Sequence, residues 1–240
     1  MKTHRQKFYR AVTIALLLSA APLLGQAKCI EGDCEKGTGT FTYLGGMTYV
    51  GPFVDGKPEG QGVKTYQNGT KYVGQFKEGK FSGKGEKIFP DGSHYEGDFE
   101  KGQFHGEGVY TYADGTVYRG SFQYGLFNGA GIYIYPTGAK YEGSFKNNEF
   151  SGQGRLTLPD ESGYNGSWDG NQPSGQGNGT MTDGSIYRGN WWQGKFDGLG
   201  TLTTADGEKK EGFWEAGKFT KAEEAAPAKK KSSIGSGWQY

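Results

Sequence analysis

The residues able to do chemistry are few, and each has a plainer explanation. The chain of 240 residues holds three histidines and two cysteines. His4 lies in a basic leader, so acid–base or triad catalysis, which needs an imidazole beside its nucleophile, could call only on His94 and His105. Neither sits in a motif. At the equivalent places of neighbouring segments stand Lys71, Val117, Ser82 and Asn128, so both read as variation around turns. Asp91, Asp114, Asp183 and Asp206 offer carboxylates, but each precedes a Gly, which is turn chemistry. Gly-x-Gly pairs such as Gly60/Gly62 look like a phosphate loop, yet they run into extended segments and not into the helix N-terminus that such a loop needs. Cys29 and Cys34 are spaced C-x4-C without further metal ligands nearby. The reading is therefore a non-enzyme with no catalytic residue, no metal site and no cofactor.

The glycines belong to a larger order. Tyr49, Tyr72, Tyr95, Tyr118, Tyr141, Tyr164 and Tyr187 recur 23 residues apart. Two residues after each comes a Gly, from Gly51 to Gly189. Four after each comes an aromatic: Phe53, Phe76, Phe99, Phe122, Phe145, Trp168 and Trp191. A Gly pair follows at the twelfth and fourteenth positions, counting the Tyr as the first, from Gly60/Gly62 to Gly198/Gly200. A fixed period of this length marks a repeat architecture.

The elements follow from alternation. In an extended chain the first, third and fifth positions share a face, as Tyr72, Gly74 and Phe76 do, while Val73, Gln75 and Lys77 face away. The eighth position is Gly or Asn, the residues that accept positive φ, and reads as a turn. A second strand then places Gly106, Gly108, Tyr110 and Tyr112, or their equivalents, on one face. Asp-Gly or Asn-Gly closes the unit, a strong hairpin signal. Phe81, Phe104, Phe127, Phe150 and Phe196 at the tenth position add a further ring to the same face. The fold expected is all-β: an elongated, single-layer antiparallel meander of hairpins whose rings stack in ladders, spanning roughly 70 Å at two strands per repeat.

This pattern, YxGxxxxGxxxGxG with an aromatic fifth residue and a closing Asp-Gly, resembles the MORN (membrane occupation and recognition nexus) repeat over about Gly37 to Phe219. The resemblance implies an elongated, curved single sheet. It says little of function, because the repeat serves as a scaffold in many settings.

Around the array the chain changes character. Met1 to Arg10 is basic, Ala11 to Leu24 is apolar, and Gly25-Gln26-Ala27 offers small residues for a cut before Lys28. Residues 1–27 thus read as a signal peptide, and the protein as exported to a periplasm or the extracellular space. Export and an even count argue for a Cys29–Cys34 disulfide. Residues 28–48 form a cap containing half a repeat, and 49–219 hold seven full repeats and a last strand. Residues 220–240, rich in Ala, Lys and Ser, read as a flexible tail. The fifth repeat departs at Glu161, which stands where Gly is usual. The sixth departs at Pro173, Gly179 and Met181, which makes its hairpin the thinnest-packed.

Gly accounts for 45 residues and aromatics for 15%, with a formal net charge of +1; loss of the leader's Lys2, Arg5, Lys7 and Arg10 leaves a slightly acidic chain. On the outward face the second positions run Val50, Val73, Glu96, Arg119, Glu142, Asn165, Arg188 and Glu211. Their signs cancel, which argues against nucleic acid as a partner. The reading is a scaffold for another protein or for a second copy. The rival reading is a module that binds phospholipid at the cell envelope. Phe213, Trp214 and Phe219 mark the expected association edge, because no hairpin partner is foreseen for the last strand.

Overall fold

The computed structural model describes residues 26–222. Most of the proposed signal peptide, and the tail from residue 223, lie outside the described residues. Nineteen strands form one open antiparallel sheet, without a helix among the described residues. Each strand pairs with its neighbours in sequence, so the sheet is a meander. Lys57–Pro58 and Gly60–Thr65 are two pieces of one row, since both pair with Thr48–Val54.

One repeat shows why the sequence folds this way. His94–Glu100 and Gln103–Thr111 are joined by Lys101 and Gly102, with φ of 52° and 90°. Positive φ at both residues makes a two-residue turn whose twist matches the strands. The sequence reading recognised only the second of these residues. The first, occupied by Asp55, Glu78, Lys101, Tyr124, Asn147, Gln193 or Ala216, also takes positive φ, a strain that the hairpin twist imposes. The closing turn is different. The Tyr112 N–H donates to Thr116 O at 2.8 Å, the Gly115 N–H donates to Tyr112 O at 3.0 Å, and Gly115 has φ of 87°. This is a three-residue loop with Gly in the left-handed position. Glu161 takes that position in the fifth repeat with φ of 67°.

Within the hairpin of each full repeat the second strand carries two extra residues. Gly97 faces Gly108 while Asp98 faces His105, which leaves Gly106 and Glu107 over. An even insertion preserves the alternation, so the rings stay on one face through the bulge.

That face holds the core. Tyr49, Tyr72, Tyr95, Tyr118, Tyr141 and Tyr187 are fully buried although the sheet has a single layer. The Tyr72 ring lies over the paired glycines Gly74 and Gly85, where a Cβ on either would come within 2.5 Å of its hydroxyl oxygen. Phe81 stacks on the ring at 3.8 Å, Phe76 meets its edge at 5.1 Å, and Phe99 of the next repeat meets it at 4.9 Å. The Tyr72 hydroxyl donates to Gln75 O at 2.9 Å, so burial leaves no donor unpaired. The same stack occurs at Tyr95/Phe104, Tyr118/Phe127, Tyr141/Phe150 and Tyr187/Phe196. It is missing at Tyr164, whose tenth-position partner is Pro173, and at Tyr49, where Pro58 stands.

At the N-terminal end Lys28–Gly32 pairs with Thr38–Thr42, and Cys29 is bonded to Cys34. The C-terminal end corrects the expectation of an unpaired last strand. Lys209–Glu215 is followed by Lys218–Ala222, which pairs with it through Trp214↔Phe219 and Glu215↔Lys218. Ala216 and Gly217 form the same two-residue turn as in the repeats, so the hairpin rule reaches three residues further than the aromatic pattern does. Among the described residues the last strand at this end is the exposed Lys218–Ala222, and its Lys218 and Lys221 are charges of the kind that discourage edge pairing.

Removing a ring from the ladder should be costly. Phe99→Ala or Tyr118→Ala is expected to lose about 3–5 kcal/mol of stability in urea denaturation, and Val73→Ala on the opposite face far less. Glu161→Gly is expected to stabilise the protein by about 1 kcal/mol, because it relieves a left-handed residue; a lower denaturation midpoint would contradict this.

Candidate binding face

The two faces of the sheet differ in kind. On the outward face, cross-strand polar pairs cover the backbone. Lys84 and Asp98 form an ion pair at 2.9 Å. The Ser121 hydroxyl donates to Glu107 at 2.6 Å, and the side-chain N–H of Gln153 donates to Ser167 at 2.9 Å. Gln176 and Asn190 continue the row at 2.5 Å. A cleft of about 650 Å³ on this face is lined by Lys84, Glu86, Glu96, Glu107, Val109 and Arg119. These charges of both signs, among them Glu86 opposite Glu96, make it no focused site for either sign.

The aromatic face has two rows. The inner row is the buried ladder. The outer row, at the sixteenth and eighteenth positions, is half-buried: Phe41 and Tyr43, Tyr66, Phe89, Tyr110 and Tyr112, Tyr133 and Tyr135, Leu156, Met181 and Leu202. Tyr110 and Tyr112 meet edge to face at 4.6 Å, and Tyr133 and Tyr135 at 4.8 Å. Two lysines interrupt the row. Lys64 lies over Tyr43 at 5.2 Å, and Lys87 over Phe89 at 4.8 Å. Burial pulls both ammonium groups below their ordinary pKa. The periodicity placed these positions on the ring face; what it could not show is that they stay half-open while the inner row closes.

Towards the C-terminal third the row thins. Leu158 and Met181 take the places held earlier by Tyr and Phe, and Trp168 and Trp191 replace the fifth-position Phe. Each indole N–H donates to a glycine carbonyl of the preceding repeat, Trp168 to Gly154 at 2.9 Å and Trp191 to Gly177 at 3.1 Å. Two open clefts result. One of about 390 Å³ is lined by residues that include Tyr135, Ala139, Leu158, Trp168 and Asn171. The other, of about 470 Å³, is lined by residues that include Leu158, Met181, Trp191, Lys195 and Phe196. The larger lies at the sixth repeat, where the sequence marked the thinnest packing.

The remaining sequence candidates are dispersed. His105 stands 3.3 Å from Glu100, and His94 faces Thr111. Among the described residues no group of three or more His, Cys, Asp or Glu side chains converges as metal ligands would. Asp91 accepts from the Ser93 hydroxyl and N–H, and Asp114 and Asp183 accept from the N–H groups of Thr116 and Ser185; those bonds hold the carboxyls below their ordinary pKa. Trp214 is buried in the ladder, Phe213 faces outward beneath Lys221 at 4.9 Å, and Phe219 is exposed.

The family model described as MORN repeat matches seven segments: 49–71, 72–94, 95–117, 118–140, 141–163, 164–185 and 187–209. The chain belongs to the MORN repeat family. The sixth MORN segment is the one cut short, at the repeat whose sequence departs furthest. No curated protein sequence matches the chain. Among solved structures it is similar to the SAS-4 (dCPAP) TCP domain of Drosophila melanogaster in complex with a proline-rich motif of Ana2 (dSTIL). That likeness has 15% identity over 65% of this chain and 85% of that one, with a TM-score of 0.40. It is also similar to the TCP10 domain of Danio rerio CPAP, at 13% identity over 73% and 88% of the two chains, with a TM-score of 0.30. At these scores the likeness assigns nothing to this MORN chain.

The buried tyrosines make stability sensitive to alkali. Burial pushes the hydroxyls of Tyr49, Tyr72, Tyr141, Tyr164 and Tyr187 up to about 12, and those of Tyr95 and Tyr118 upward as well. In the unfolded chain they ionise at about 10. The unfolded state therefore holds fewer protons above that pH, and stability must fall as pH rises from there through the folded values. Unfolding by circular dichroism should set in above about pH 10, together with a cooperative rise in tyrosinate absorbance. Tyrosinate absorbance reaching its full value near that pH with the sheet intact would contradict the assignment.

Proposed function

We propose that the chain is a non-enzymatic scaffold that binds another protein through its aromatic face. The observation that carries this is the half-open outer row, which places rings and apolar side chains at the surface of every repeat from Tyr43 to Met181 while the inner row is sealed. Aromatic side chains supply much contact area for little ordering cost, and surfaces rich in them are interaction surfaces. Along the middle of the outward face, polar groups are instead paired across strands. Membership of the MORN family is compatible with a scaffold role.

Export is part of the same proposal. The leader's pattern and the Cys29–Cys34 disulfide both suit an oxidising compartment. The intact mass of the natural protein should begin at Lys28 and be two hydrogens short of the reduced chain; a retained leader or free thiols would overturn this part.

The binding face is tested by site-specific photo-crosslinking in native cells. A crosslinker replacing Tyr135 should trap a protein, and one replacing Glu142 on the outward face should not. Trapping from Glu142 alone would move the site to the other face. Flotation of the purified protein with anionic vesicles, abolished by salt, with no protein crosslink, would favour the phospholipid reading instead.

A further inference from the structure

The two apolar clefts on the aromatic face are one cleft repeated. Tyr135, Ala139, Leu158, Trp168 and Asn171 line the first. Leu158, Ser162, Met181, Trp191 and Gly194, each 23 residues later, line the second. Leu158 is the wall between them. The distance from one cleft to the next is therefore one repeat, which is two strand rows or about 9.6 Å.

That spacing selects among ligand backbones. A polyproline II helix has three residues per turn and rises about 3.1 Å per residue, so its residues i and i+3 lie on one side about 9.3 Å apart. The residues between them point away from the surface and pass over the Leu158 wall. A β-strand fails, because residues three apart point to opposite sides. An α-helix brings i and i+7 to about 10.5 Å, but it places i+3 and i+4 between them on the same side, against Leu158. Polyproline II also has no internal hydrogen bonds, so its carbonyls are free to accept from donors on the surface. Tyr135 and Asn171 line the first cleft, and the Tyr135 hydroxyl and the Asn171 side-chain N–H donate to no group among the described residues, so both are free to serve as donors. Charge adds an end preference. Lys195 is the only charged side chain lining either cleft, and it lines the second.

We infer that the paired clefts bind a polyproline II segment of a partner protein, with apolar side chains at i and i+3 and a carboxylate at the end that lies beside Lys195. This rests on the aromatic face being the protein-binding face, and names the kind of segment it takes.

The test uses the whole protein and short labelled peptides, read by fluorescence anisotropy. The first probe carries Leu at two places three apart in a proline background, with Glu residues at both ends. The second has the same composition with the Leu residues two apart, and the third replaces Glu by Gln. The first should bind about tenfold or more tighter than the second, a difference of about 1.4 kcal/mol. Leu158→Asp should abolish the preference for the three-residue spacing. Leu158 is 37% exposed, so the fold should tolerate the change, and Leu158→Ala serves as the milder variant. Lys195→Gln should weaken the Glu peptide to the level of the Gln peptide and leave the latter unchanged. Equal affinity for both spacings, or binding that neither Leu158 variant alters, overturns the inference. If the peptides fail to bind while the Tyr135 crosslink to a protein persists, the polyproline assignment falls and the binding face stands. If the crosslink is absent too, both fall.

Discussion

A tyrosine ring lying flat on two glycines is the contact on which this sheet depends. A single-layer sheet has no second layer to cover its core, so it must make a cover from its own side chains. The ring of Tyr72 can do this only because neither Gly74 nor Gly85 carries a Cβ. Lying flat, it offers one face to the backbone and the other to Phe81, and it is closed at its edges by Phe76 and by Phe99 of the next repeat. Each repeat therefore buries its ring with help from its successor, and stability accumulates between neighbours. The hydroxyl is the difficulty, because a buried donor without a partner is costly. The carbonyl three residues ahead resolves it in all seven repeats, from Tyr49 to Tyr187. Phe in place of the Tyr would keep the stack and lose that anchor.

The turns serve the same ladder. The N–H of the eighth residue donates to the carbonyl of the tenth residue one repeat earlier, as Gly102 does to Phe81 and Gly125 to Phe104. Where that residue is Asn, its side-chain oxygen accepts a bond in return, from the Phe127 N–H to Asn148 and from the Phe150 N–H to Asn171. The turn thus fixes the carbonyl of the ring that stacks on the tyrosine. This explains why Asn alternates with Gly at a position that seemed to ask only for positive φ.

The fold was legible in the sequence because its two causes are both periodic: side chains alternate every two residues, and ring-to-glycine contacts recur every 23. What escaped was not periodic. Lys218–Ala222 follows a good turn at Ala216 and Gly217 but carries no Tyr, no Gly and only Phe219 of the motif, so nothing in its side chains announced a strand. Its existence displaces Phe213 and Trp214 from the edge to which the sequence had assigned them. The first residue of each hairpin turn escaped for a related reason. Positive φ at Tyr124 or Lys101 comes from the twist of the strands it joins, and such residues give no sign of it by their type. The clefts escaped because they are absences. Pro173 and Gly179 were visible as departures, but whether a departure is filled by a neighbour depends on packing. The Trp191 indole does fill the space over Gly179, and it is the lack of a large ring at position 181 that leaves the cleft open.

Why the array can vary there without failing follows from the geometry of its two rows. The inner ring keeps its seat on the glycines whatever stands in the outer row. Tyr164 has lost its stacking partner to Pro173, yet it is only 5% exposed and still donates to Ser167 O at 3.0 Å. Trp191 reaches it at 4.9 Å, and the larger indole takes over part of the cover that a tenth-position Phe supplies elsewhere. The indole N–H, which Phe lacks, also ties the repeat to the carbonyl of Gly177 behind it. At this repeat Trp191 thus covers part of what Pro173 leaves open, as Phe76 does at 4.8 Å for Tyr49 beside Pro58. The outer row is then free to carry Leu158 and Met181 where a uniform array would carry tyrosines, and a surface that the other repeats partly fill stands open in two consecutive ones.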